Sequence, residues 1–272
     1  MRDRRLAFAA VGIILTLALV IWRPWNPRQD TAVRDAGTRA YRFAMDYTAA
    51  DIRGQVTHRQ HVEATCTRGL PGGDVVWRDV SVAEADGASA PLGKPQARAF
   101  MEGFRYLKSP TTMDEMFRPE FFKNAPPTAI IERNLVWDAE ALDMFAHTPL
   151  EHLKPNEPYR LLSSQTVDMP GIGTFQNRDV QLTLTGREQR NGQDCAVIDY
   201  RAFFNPLSIA NGGMTLTGRS HYWGQIWVAL ATRQIEYATL YEDVLGEMVL
   251  PGQDRQLIDV FRSGVLEPRA RR

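Results

Sequence analysis

The chain has 272 residues, and its 32 basic and 32 acidic side chains cancel to a formal net charge of zero. A neutral chain lacks the clustered basic surface that nucleic-acid binding requires, so no nucleic-acid partner is expected. With 44% hydrophobic residues it has ample material for a core, which excludes a disordered polyelectrolyte.

Met1-Arg2-Asp3-Arg4-Arg5 precedes an uncharged apolar run from Leu6 to Trp22. A basic start before such a run is a membrane-targeting segment. The run reaches the short end of the about 17–25 residues that a spanning helix needs. Trp22, Arg23 and Trp25 stand where a signal peptidase would want small residues. The expectation is a cytoplasmic tip at 1–5, an uncleaved transmembrane signal anchor at 6–22 and a linker at 23–37. The positive-inside rule then puts the rest of the chain outside the cytoplasm, on a single-pass protein of the cytoplasmic membrane. Cleavage after a later alanine is the alternative.

Tyr41, Phe43, Met45 and Tyr47 recur at every second position, which predicts a half-buried strand. Further strands are expected over Val56–Cys66 and Val75–Val82, the latter set off by the turn Gly72-Gly73-Asp74. Gln96 to Leu107 places Phe100, Phe104 and Leu107 at helical spacing and predicts a first helix. Ala129 to Ala146 predicts a second, with Ile131, Leu135, Leu142 and Phe145 on related faces and Thr128 as candidate cap. From Tyr159 the pattern is strand-like almost to the end. Asn191-Gly192 marks a hairpin, because both residues accept positive φ. Met214–Leu230 and Gln234–Leu250 predict a long hairpin around Ala231-Thr232-Arg233, followed by a last strand over about 256–266.

Strands and helices do not alternate regularly, which argues against a parallel α/β sheet. Very long strands imply strong curvature. The expected fold is therefore α+β: a curved, mainly antiparallel, half-barrel-like sheet over 38–266, with two helices from an insertion at about 95–147 packed on one face. An N-terminal membrane helix would precede it and a tail, 267–272, would follow.

This order of elements resembles the half-barrel domains of bacterial envelope lipoprotein carriers, and the hairpin from Tyr222-Trp223-Gly224-Gln225 to Arg233-Gln234-Ile235 is similar to a segment of such periplasmic domains. The resemblance implies a curved sheet closed by helices around an apolar cavity for acyl chains. It carries over no binding residue. The chain departs from those carriers in its expected peptide anchor, which would prevent shuttling between membranes.

No pattern for chemistry emerges. Neither G-x-S-x-G nor a Walker loop occurs, and Gly171-Ile172-Gly173 is not followed by the remaining glycine of a dinucleotide fingerprint. His58 and His61 would point to opposite faces of a strand, which makes them poor joint metal ligands. Glu242, Asp243 and Glu247 read as a solvated strand edge. No catalytic or metal-ligating residue and no cofactor is expected. Cys66 and Cys195 are an even pair, able to form a disulfide in an oxidising compartment or to pack as buried thiols. The apolar residues suggest a lined cavity, with Phe100, Phe104, Trp223, Trp227 and Tyr237 as candidate lining. The leading expectation is non-enzymatic binding of a lipid or other apolar ligand outside the cytoplasm, with the membrane as partner through residues 6–22. An envelope scaffold without a cavity, binding other envelope proteins, is the first alternative and an unrecognised enzyme the second.

Overall fold

Every strand in the computed structural model belongs to one antiparallel sheet whose two chain-terminal arms meet in its middle. The structure describes residues 37–108, 121–122, 125–126, 129–147, 150–169, 172–211, 213–252 and 254–269. The strands are β1 (Arg39–Asp51), β2 (Val56–Arg68), β3 (Asp74–Asp86), β4 (Gln96–Ala97), β5 (Arg105–Leu107), β6 (Tyr159–Met169), β7 (Gly173–Arg190), β8 (Gln193–Asn211), β9 (Met214–Ala229), β10 (Ile235–Val249) and β11 (Gln256–Pro268). Their spatial order is β4-β3-β2-β1-β11-β10-β9-β8-β7-β6, with β5 also pairing β3. Along that order neighbours in space are neighbours in sequence except at β1 and β11, which pair from Tyr41↔Pro268 to Asp51↔Ile258; off it, β5 returns to β3.

This topology dictates where the helix goes. The chain runs out to one edge through β1–β5, must cross to the opposite edge at β6, and returns through β7–β11 to β1. The crossing carries the α-helix α1 (Ile130–Ala146), of which 12 of 17 residues are buried. Side chains from β2, β5, β7, β8, β9 and β11 all reach it, so the sheet wraps around the helix as a half-pipe. Leu135, Leu142 and Phe145 pack on inward positions of the wall such as Tyr200 and Ile226. Gly224 leaves room on that wall, since a Cβ there would lie 2.6 Å from the Tyr200 hydroxyl, which donates to the Thr239 carbonyl at 2.8 Å.

The expected fold class needs correction. The described residues hold one α-helix, not two. Over Gln96–Leu107 the backbone pairs with the edge of β3 instead: Arg98 N–H donates to the Val80 carbonyl and Trp77 N–H to the Phe104 carbonyl. Gly103, at φ +70°, turns the chain between these contacts, so the helical spacing of Phe100 and Phe104 is coincidental. The anchor and linker expected at 6–37 lie, apart from Gly37, outside the described residues, and so does the Thr128 cap. Among the described residues no helix is long and apolar enough to cross a membrane. The predicted second helix is α1, and the Asn191-Gly192 turn has both residues at positive φ, 50° and 75°.

A helix lying inside a pipe has no solvated face for its charges, yet α1 carries four buried carboxylates. Each meets a cation from the wall. Asp138 accepts from Arg262 of β11 at 2.5 and 3.0 Å. Arg262 also donates to Glu242 of β10, whose other oxygen takes the Ser220 hydroxyl. Glu140 accepts from Arg68 and from the Tyr106 hydroxyl, each at 2.9 Å. Asp143 faces Arg68 and Lys108, and Glu132 lies 3.0 Å from Arg98. Burial raises the Asp138 carboxyl from 3.8 to about 6; Arg262 opposes this and Glu242 adds to it. At Glu140 burial also pushes upward, but Lys108, Arg68 and Tyr106 together bring the carboxyl below its usual value.

Arg262→Met should therefore destabilise the fold by about 3–5 kcal/mol in urea unfolding, because it strands two buried carboxylates. The Asp138 contribution has the opposite pH sign to an ordinary salt-bridged acid. Its folded pKa lies above the unfolded one, so the stability it lends is complete below pH 3.8 and fades as pH rises through about 6. The stability gap between wild type and Asp138→Asn, followed by urea unfolding, should move in favour of Asn over that window.

Candidate functional site

The helix fills only part of the pipe. Beside its N-terminal half lies a hollow of about 400 Å³. Ile131 and Trp137 form the helix side, Phe175 and Leu207 one wall, and Val244 and Val260 the other. A second hollow of about 690 Å³ shares Tyr47, Gln60, Met214 and Val260 with it, so an elongated trough runs on toward the β1–β2 turn.

Strand β8 supplies its part of the wall through a bulge. Up to Ala202 the even positions point inward: Ile198, Tyr200 and Ala202 are buried. The register then shifts between Ala202 and Asn205, Phe204 takes φ +60°, and both Phe203 and Phe204 face outward. Beyond the bulge the odd positions point inward, which places Leu207 and Ile209 in the trough. Had the strand run on through these residues without a bulge, Pro206, Ser208 and Ala210 would face in, since a one-residue shift exchanges the two faces of a strand. Asn205, with no exposed surface, holds the bulge by donating to the Ala202 and Ser220 carbonyls and accepting from Arg178 N–H.

The trough is apolar with a polar floor. Arg262 and Glu242 line it and are already engaged with Asp138 and Ser220. The Tyr47 hydroxyl is different: it is buried in the wall beside the Arg262 guanidinium, and its proton has no acceptor at hydrogen-bonding geometry. Burial pushes it up to about 12, with Arg262 opposing, so it stays a neutral donor. Arg133 lines the trough as well, its guanidinium 5.0 Å above the Phe122 ring, and burial depresses its pKa.

None of the five residues expected to line a cavity lies in this trough. Phe100 and Phe104 pack on the main core, Phe104 stacking on Phe122 at 4.6 Å. Trp227 and Tyr237 lie together on the outer face, in a small cluster with Cys195 and Val197. There Trp227 donates to Glu188, and Arg190 lies over both rings. Trp223 is also on the outer face, stacked on Tyr241. Cys66 and Cys195 are free thiols on opposite faces of the sheet, one in the main core and the other in the outer cluster; burial pushes Cys66 up to about 12. The acidic trio separates too: Glu242 is buried and paired, Asp243 faces outward, and Glu247 pairs with Arg255 at 3.0 Å. The signal that could have found the trough was parity, because Glu242 and Arg262 sit at inward positions of strands whose inward neighbours are apolar.

His58 pairs with Asp86, and His61 with Asp46 and Glu63, all at the surface of β2 and its neighbours. Among the described residues no group of three or more His, Cys, Asp or Glu is arranged to hold a metal ion.

No family model matches the chain, and no curated protein matches it. Among solved structures it is similar to lipovitellin, in a structure titled for its lipid–protein interactions, at 11% identity and a TM-score of 0.40. That match covers 86% of this chain but only 25% of the lipovitellin chain. A putative exported protein with a YmcC-like fold from Bacteroides fragilis matches at 9% identity and a TM-score of 0.19, over 84% of this chain and 95% of its own.

Proposed function

We propose that this protein binds an apolar, lipid-like ligand in the concave trough, without catalysing a reaction on it, outside the cytoplasm. The carrying observation is the trough itself: about 400 Å³ of apolar-walled space beside the helix, continued by the adjoining hollow toward the β1–β2 turn. That volume falls within the about 300–1,000 Å³ range of small-molecule sites. Its elongated shape suits an acyl chain, and the Tyr47 hydroxyl offers a donor to the ligand's polar end. The basic Met1–Arg5 stretch followed by an uncharged run supports the extracytoplasmic placement.

Native mass spectrometry of the full chain after gentle extraction should show a co-purified lipid. In the delipidated protein, 11-(dansylamino)undecanoic acid should gain fluorescence on binding. Val244→Trp and Leu216→Arg, which obstruct the trough, should weaken that binding at least tenfold. An unliganded wild type that also leaves the probe dark, or obstructed variants that bind it normally, would overturn the proposal. Tyr47→Phe separates ligand from fold. It should weaken the probe severalfold while leaving the empty protein unchanged or more stable by about 1 kcal/mol, because a buried hydroxyl proton without an acceptor is a cost.

A further inference from the structure

The outer face of the same strands carries a feature that the trough does not use. Phe203 on β8, Trp223 on β9, Tyr241 on β10 and Phe261 on β11 form a row of rings across four adjacent strands. Trp223 and Tyr241 have centroids 5.9 Å apart and planes 23° from parallel; Tyr241 and Phe261 are 6.4 Å apart at the same angle. Phe203 extends the row at 6.5 Å from Trp223. Phe203 and Phe261 are 40% and 39% exposed, at the centre of an eleven-stranded sheet rather than at its edge.

Beside the ring row runs a polar ladder. Gln225 donates to Asp199 at 2.9 Å, Thr185 donates to Asp199 at 3.1 Å, and Arg201 donates to Gln181 at 3.1 Å. These side chains hold one another in place and remain open to solvent. Phe203, Trp223, Tyr241 and the ladder together line a shallow hollow of about 560 Å³, with Phe261 beyond it. The β8 bulge lies beside the row: Phe203 faces outward in step with the odd positions ahead of it, and the bulge, with Phe204 at φ +60°, turns Phe204 outward as well. Aromatic residues rarely take that conformation, and such strain persists only where the surroundings enforce it, as buried Asn205 does here.

We propose that this outer face binds a neutral polysaccharide strand. A pyranose presents apolar C–H bonds on its faces and hydroxyls around its rim. An aromatic ridge takes the former, while carboxamides, a carboxylate, a guanidinium and threonine hydroxyls, with donors and acceptors side by side, take the latter. The charge distribution disfavours an anionic lipid surface. Asp199, Asp243 and Asp259 all face outward around the rings, and Asp259 is close enough to Asp243 for burial and that neighbour to raise its pKa. Arg201 is the cation among the residues lining the hollow.

The test is isothermal titration calorimetry of the full chain with cellohexaose and with chitohexaose. Saturable binding of either is expected, at least tenfold weaker in Trp223→Ala and Tyr241→Ala and severalfold weaker in Gln225→Ala. Binding of the dansyl fatty acid to the trough should stay at the wild-type level in all three, which keeps the two sites distinguishable. If loss of a ring unfolds the chain, Phe203→Ser and Thr183→Arg at exposed or half-exposed positions probe the same surface. Failure of both hexasaccharides to bind would overturn the proposal. So would ring variants that bind as wild type does. Ring-dependent co-sedimentation with phosphatidylglycerol vesicles, without saccharide binding, would assign the face to a membrane surface instead.

Discussion

The placement of α1 inside the half-pipe depends on Arg262. The chain has to carry a helix from one sheet edge to the other, and it lays that helix across the concave face. An apolar helix could lie there in many rotations and axial positions. The fork of Arg262 accepts few, because it must meet Asp138 from the helix and Glu242 from the neighbouring strand together. Arg68 imposes a second restraint near the other end of the helix through Glu140 and Asp143. Buried ion pairs are poor sources of net stability, since desolvation consumes most of the Coulombic gain. Their effect here is selection of one helix position. That position leaves the trough open, because the helix is held toward one end of the pipe while its N-terminal half borders unfilled space.

The bulge in β8 is the second constraint, and it acts on both faces at once. A strand nineteen residues long would normally keep one parity throughout. Here the inward set changes from Ile198, Tyr200 and Ala202 to Asn205, Leu207 and Ile209. The same step turns Phe204 to the outside, next to Phe203, which the regular alternation already places there. Asn205 has its hydrogen bonds distributed among three backbone groups on β7, β8 and β9, so the irregularity is satisfied and not merely tolerated.

Much of the sheet was legible because its signals are local. The alternation of Tyr41, Phe43, Met45 and Tyr47, the Asn191-Gly192 turn and the apolar pattern of α1 each depend on residues close in sequence. The segment 96–107 misled because an edge of β3 was available to pair with it, and pairing with a distant strand leaves no trace in a twelve-residue window. The position of the five candidate lining residues outside the trough has a related reason. Period-two alternation says that Trp223 and Trp227 share a face, but not whether that face is concave. Gly224 was the clue: the inward side at this point has to admit Tyr200, so the large rings on either side of it must point away. Glu242 was misread because a carboxylate beside two other acidic residues resembles a solvated edge until Arg262, twenty positions later, is placed opposite it.

The two candidate surfaces are built from the same backbone, yet they are chemically independent. On β9, Leu216, Ser220 and Ile226 face the pipe while His221, Trp223 and Gln225 face out. On β10, Glu242 and Val244 face in while Thr239 and Tyr241 face out. Side chains of opposite parity do not touch across a pleated sheet, so a substitution on one face leaves the contacts of the other in place. The bulge is the exception. A regular β8 that kept all its residues would turn Leu207 and Ile209 out of the trough in favour of Pro206, Ser208 and Ala210, and would turn Phe204, beside the outer row, inward. Asn205, by holding the bulge, thus fixes which residues of β8 wall the trough and keeps Phe204 outward beside Phe203, whose own direction is set by the alternation ahead of the bulge.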